Sequence, residues 1–146
     1  MPRADSDGVS IHYELAGTGD ALVLIGGLGV HTGEYRPLID ALAGHHRVLA
    51  ADNRGAGSSD KPDEPYGYGM MAADTVAAMD AAAVAAADIV GFSMGARIAI
   101  ELCLALPERV RTLTRLTASG GDSLPGFGRF GRTSAARQPS RALAPR

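Results

Sequence analysis

The 146-residue chain has no tryptophan, one lysine (Lys61), one cysteine (Cys103) and no histidine beyond His46. A lone cysteine excludes an intrachain disulfide and fits a reducing compartment, so the expected location is the cytoplasm. Cys103 falls on the apolar face of a helical pattern, which makes it a core thiol rather than a nucleophile. No apolar run reaches membrane-spanning length, and Met1–Pro2–Arg3–Ala4–Asp5 does not open a secretory leader, so no membrane partner is expected. No Cys/His/Asp/Glu cluster has ligand spacing, which predicts no metal. Low lysine with abundant Ala, Gly and Arg reflects a GC-rich coding sequence more than a function.

What is present is an ordinary globular composition. Apolar residues make up 46%, enough at this length for one domain with a real core. The formal charge of −2 hides a split. Residues 1–119 hold 15 acids against 9 Lys/Arg, whereas residues 120–146 hold only Asp122 against five arginines. Those arginines are scattered, and only Phe127 and Phe130 lie among them, so nucleic acid is not an expected partner.

Hydrophobic period sets the elements. Val9–Leu15 alternates as a strand, entered at Asp7–Gly8 and left at Gly17–Thr18–Gly19. Ala21–Ile25 is a continuous apolar run, the mark of a strand buried on both faces. Helical spacing over Glu34–Leu42 precedes a strand at Arg47–Ala51, and an Ala/Met-rich helix covers about Met70–Ala82. A short apolar strand from Ala87 up to Gly91, a helix to about Leu106 and a strand at Val110–Thr117 complete the pattern. Strands alternating with helices predict an α/β fold: a mostly parallel sheet with helices on both faces, three layers in all. From Gly120 the periodicity stops. Residues 120–146 read as a disordered or out-of-frame tail, which gives two segments, 1–119 and 120–146.

The chemistry concentrates at Gly91–Phe92–Ser93–Met94–Gly95, a G-x-S-x-G pentapeptide between an apolar strand and an apolar-periodic helix. That order builds a nucleophile elbow, a sharp turn that lifts a serine hydroxyl clear of the sheet. Ser93 is the candidate nucleophile. Gly91 and Gly95 are the positions where a side chain would clash with the turn, and the Met94 N–H opens the following helix, aimed where an oxyanion would form. The loop Gly26–Gly27–Leu28–Gly29 has three readings. It is a second oxyanion element through the Leu28 N–H, or the start of a dinucleotide site with Asp52 as its acid, or a plain strand exit. The dinucleotide fingerprint lacks its third glycine, because position 32 is Thr32.

Taken in order, these segments resemble the α/β-hydrolase family over about Gly8–Thr117. Leu24–Ile25–Gly26–Gly27–Leu28–Gly29 is similar to its oxyanion loop. Asp52–Asn53–Arg54–Gly55–Ala56–Gly57–Ser58–Ser59–Asp60 is similar to its D-x-R-G-x-G-x-S segment, which supports the site. Leu106–Pro107–Glu108–Arg109–Val110 is similar to its P-E-R-V link. The resemblance implies a serine hydrolase for an ester, lactone or related small acyl substrate, with no cofactor. It also covers cofactor-free peroxidases and carbon–carbon hydrolases.

The departures carry information. The family's oxyanion loop usually begins His-Gly, whereas this one begins Gly26–Gly27. No glycine stands in Ala82–Ala83–Val84, where the family usually stops the helix before the elbow strand. Arg115 occupies a strand position where an apolar residue is expected. The family's chain order is nucleophile, acid, histidine, but His12, His31, His45 and His46 all precede Ser93. His31, beside the glycine loop, is the nearest alternative base, and Asp122 a candidate acid. The family also runs well beyond 200 residues. The sequence therefore carries the expectation of a truncated hydrolase, catalytically incomplete, whose acid and base lie in another reading frame or on a partner. Its last strand would form an exposed sheet edge open to self-association. A non-enzymatic fragment or interaction module, and more remotely a small nucleotide-binding α/β domain, are the alternatives.

Overall fold

The computed structural model describes residues 1–116. The tail from Gly120 and Asp122 lie outside the described residues. Six strands form one sheet, β1 (Arg3–Ser6), β2 (Val9–Ala16), β3 (Ala21–Ile25), β4 (Arg47–Ala51), β5 (Ala87–Phe92) and β6 (Val110–Leu116). Their spatial order is β1-β2-β4-β3-β5-β6. The β1/β2 and β2/β4 pairs are antiparallel, and β4, β3, β5 and β6 run parallel. Three helices join them, α1 (Arg36–Ala43), α2 (Tyr68–Ala81) and α3 (Met94–Ala105), with a short 3-10 turn at Pro107–Arg109.

The central strands β3, β4 and β5 explain the layering. Each is apolar on both faces, so each needs cover on both. One face, with Val23, Ile25, Leu49 and Ile89, packs on Met71, Ala78 and Met79 of α2 and on Ile98, Ala99 and Leu102 of α3. The other, with Leu22, Leu24, Val48 and Ala50, packs on Ile39, Leu38 and Leu42 of α1. The result is the expected three-layer, mostly parallel α/β sheet. Cys103 is buried on α3, and burial pushes its thiol up to about 11, so it stays protonated at neutral pH. Among the described residues no helix is long and apolar enough to cross a membrane.

Two local features differ from the sequence expectation. Strand β1 was not expected, yet it pairs with β2 through a two-residue hairpin, Ser6 opposite Val9. The turn residues Asp7 and Gly8 both have positive φ, +51° and +82°, the type I′ geometry that matches strand twist. The second feature ends α2. The Ala83 N–H donates to the Asp80 carbonyl at 3.0 Å and the Val84 N–H to the Met79 carbonyl at 2.8 Å. This Schellman pattern normally needs glycine at its left-handed position, but here Ala83 takes φ +53°. The helix stops cleanly without the glycine, and an exposed alanine bears the strain.

A left-handed backbone costs an L-residue about 1–2 kcal/mol. Ala83→Gly is therefore expected to raise stability by about 1 kcal/mol in urea unfolding. A loss of stability would show that the turn is not held in this conformation.

Candidate active site

Ser93 sits between the end of β5 and the start of α3 with φ +51° and ψ −115°. It occupies the N-cap position, where a serine side chain ordinarily accepts a bond from the helix backbone. Here it makes no such bond, because the strained backbone turns the side chain away from the helix. The residue is exposed. Its backbone is pinned instead: the Ser93 N–H donates to the Leu116 carbonyl at 2.8 Å, and the Ala96 N–H to the Ser93 carbonyl at 3.0 Å.

The two flanking glycines are explained by close approach. A Cβ on Gly95 would overlap the Ile25 carbonyl oxygen and lie 2.7 Å from that of Gly26. One on Gly91 would lie 2.6 Å from the Gly95 carbonyl oxygen and 2.7 Å from Ala96 Cα. All of these are backbone atoms that cannot swing aside. The first turn of α3 is thus pressed onto the end of β3, and Ser93 is carried over the loop that leaves that strand.

That loop is Gly26–Val30. A Cβ on Gly27 would stand 3.5 Å from both Ser93 Cβ and the Phe92 carbonyl oxygen, so loop and turn are in contact. The Val30 N–H closes back on the Gly27 carbonyl at 3.3 Å, which fixes the peptide unit whose other end is the Leu28 N–H. Among the described residues neither the Leu28 N–H nor the Met94 N–H meets an acceptor. Leu28 is 83% exposed.

The Asp52–Asp60 segment holds this arrangement from behind. The Asn53 side-chain amide donates to the Gly26 carbonyl at 3.0 Å, both buried. Asp52, 1% exposed, accepts from the Thr32 N–H at 2.7 Å and the Ser58 N–H at 2.8 Å. Its carboxylate is thereby committed to the loops, which removes the acid a dinucleotide ribose would need. Arg54 grips Asp74 of α2 through two 2.7 Å bonds, with both side chains almost fully buried. Hydrogen bonding to Asp74 raises the Arg54 pKa further, despite burial, so it stays a cation.

No histidine hydrogen-bonds to Ser93 among the described residues. His31 Nε2 faces Glu34 at 3.5 Å, and its Nδ1 accepts the Gly33 N–H at 3.2 Å. His12 is buried, with Nδ1 3.2 Å from the Pro2 carbonyl oxygen. His45 and His46 precede β4, at the end of the parallel strands opposite Ser93. Among the described residues no three His, Cys, Asp or Glu side chains form a metal-binding group. The sequence marks Asn53 only as part of a supporting segment and Tyr35 only as part of a helical pattern, and neither partner was foreseen. Both act through single hydrogen bonds to the glycine loop, which no periodicity reports.

Comparison with known proteins agrees with this fold. The family model described as alpha/beta hydrolase fold matches residues 20–139. The chain is 40% identical over 114 residues to a protein of Azorhizobium caulinodans provisionally assigned as the carbamate hydrolase RutD, covering 78% of this chain and 43% of that one. It is 35% identical over 109 residues to the pimeloyl-[acyl-carrier protein] methyl ester esterase of Xanthomonas campestris, covering 75% and 41%. Among solved structures, Est816, an N-acyl homoserine lactone degrading enzyme, superposes with a TM-score of 0.77 at 32% identity, covering 92% of this chain and 53% of that one. The enol-lactonase of Burkholderia xenovorans LB400 gives 0.74 at 28% identity, covering 99% and 59%. The chain spans about two fifths of the length of the curated relatives it matches.

The Arg54–Asp74 pair makes a sharp prediction. Asp74→Ala leaves a buried, permanently charged guanidinium facing only Glu64 at 3.5 Å, and should cost about 3–5 kcal/mol in urea unfolding. The double change Arg54→Met/Asp74→Leu should cost much less. Equal losses in both variants would contradict the assignment.

Proposed function

The chain belongs to the alpha/beta hydrolase fold family, and from that premise we propose that it carries the nucleophile and oxyanion half of a serine hydrolase acting on a small ester or lactone. The observation that carries this reading is the backbone of Ser93, φ +51° with no capping bond. A serine that merely began a helix would relax and cap it. Ser93 Oγ attacks the acyl carbon, its proton passes to a base supplied from outside the described residues, and the carbonyl oxygen becomes an anion received by the Leu28 and Met94 N–H groups. Collapse of the tetrahedral species breaks the acyl–oxygen bond, and the alkoxide leaves with the proton that base holds; water then attacks the acyl-serine, gives a proton to the base, and releases the acid while Ser93 regains its proton. Gly91 and Gly95 keep the turn tight. This chemistry needs no metal or cofactor. Relatives named as an ester esterase and an enol-lactonase support the acyl class.

A second reading rests on a specific observation: no histidine follows Ser93, and none precedes it within hydrogen-bond reach among the described residues. On that reading the chain is a non-catalytic fragment or interaction module unless a base is supplied from elsewhere. Among the described residues its strand β6 lies at the sheet edge with Leu116 51% exposed, a surface suited to self-association. The buried lone thiol supports a cytoplasmic setting.

The two readings separate on one reaction. A fluorophosphonate with an uncharged chain is expected to form a single adduct on Ser93, slowly in plain buffer and faster with added imidazole as a base. Ser93→Ala should abolish it. A folded protein whose Ser93 stays unlabelled even with imidazole would favour the second reading; an adduct surviving Ser93→Ala would overturn the first.

A further inference from the structure

The glycine loop is built around one peptide unit, and both its ends are held. The carbonyl of Gly26 accepts from Asn53 Nδ2 at 3.0 Å, while the N–H at its other end, on Gly27, donates to the Tyr35 hydroxyl oxygen at 3.4 Å. Asn53 reaches it from the segment after β4, and Tyr35 from the residue before α1. A peptide plane fixed at one end can still rock about that bond. Fixed at both, it sets the direction of the next peptide, whose carbonyl is closed by Val30 and whose N–H belongs to Leu28.

Tyr35 also fills space. A Cβ on Gly26 would meet its ring at 2.9 Å, and the same ring packs against Phe92 with centroids 5.2 Å apart and planes tilted by 32°. Phe92 directly precedes Ser93, so one side chain touches both halves of the site. The departure at Gly26, where related loops begin with histidine, thus has a physical partner: the room next to the backbone at position 26 is occupied by Tyr35.

Resting on the reading of Ser93 and Leu28 given above, we propose that Tyr35 is the positioning residue of this site. It fills the space beside Gly26 and orients the Gly26–Gly27 peptide, and through it the Leu28 N–H, against Ser93. It acts through the loop and does not touch the reacting atoms. Asn53 is its counterpart on the opposite end of the same peptide.

Three measurements on the full chain test this, two of them independent of activity. Tyr35→Phe keeps the ring on Phe92 and removes only the hydroxyl, so the Gly27 amide should exchange with solvent about tenfold faster, while core amides such as Leu49 and Ile89 are unchanged. Gly26→Ala should lower the melting temperature in the wild-type background and much less in Tyr35→Ala, where the ring is gone. In the fluorophosphonate reaction, Tyr35→Phe should slow the bond-forming step several-fold without changing probe affinity. Unchanged Gly27 exchange together with equal Gly26→Ala effects in both backgrounds would overturn the role of Tyr35. A wild-type chain that does not react at Ser93 would instead overturn the nucleophile reading, while exchange and coupling still decide Tyr35.

Discussion

The close approach between the start of α3 and the end of β3 is the constraint on which the rest depends. Gly95 lies so near the Ile25 carbonyl that no side chain fits, and this contact fixes where the chain must turn after β5. The turn then has one residue in which to reverse direction. Ser93 absorbs the change with a positive φ that costs on the order of 1–3 kcal/mol, and it gives up a helix cap worth about 1 kcal/mol. Neither cost is recovered locally. The buried faces of β3, β5 and α3, with Ile25, Ile89, Ile98 and Leu102, hold the turn in place.

The surrounding loops follow the same logic. A strained turn positions a hydroxyl usefully only if the groups facing it are equally fixed. Asp52 organises Thr32 and Ser58, Asn53 holds Gly26, and the buried Arg54–Asp74 pair ties the segment to α2. A buried ion pair is weak evidence for net stability, but it is directional. Breaking its register leaves a buried charge, so the loop is confined to one arrangement relative to the helix. The polar segment after β4 thus acts as a backing plate for the glycine loop.

Much of this was legible in the residues. The apolar run Ala21–Ile25 and the short segment Arg47–Ala51 mark β3 and β4 residue for residue, because each is of strand length and Ala21–Ile25 is bounded by glycine turns. The G-x-S-x-G run placed the turn for a local reason, the steric demand on Gly91 and Gly95. Strand β1 escaped because Arg3–Ser6 is short and polar. Its signal was the Asp7–Gly8 turn, read as an entry rather than as a hairpin. The end of α2 was legible near Ala82, but the left-handed turn at Ala83 escaped because an alanine carries no mark of that conformation. The partners of Tyr35 and Asn53 escaped because they lie 8 and 27 residues away in sequence. Such contacts follow from the folded sheet and not from local pattern.

The central claim is that Ser93 is held in a strained backbone for the sake of its hydroxyl, and stability measurements test it without any substrate. At most positions glycine is less stable than alanine by roughly 0.5–1 kcal/mol. At a position with φ +51° the order should invert, since alanine keeps the strain and glycine relieves it. The decisive comparison is therefore Ser93→Gly against Ser93→Ala in urea unfolding. The account predicts the glycine variant to be the more stable by about 1 kcal/mol. An alanine variant as stable or more stable would mean that the turn relaxes in solution, and the case for Ser93 as a poised nucleophile would fail.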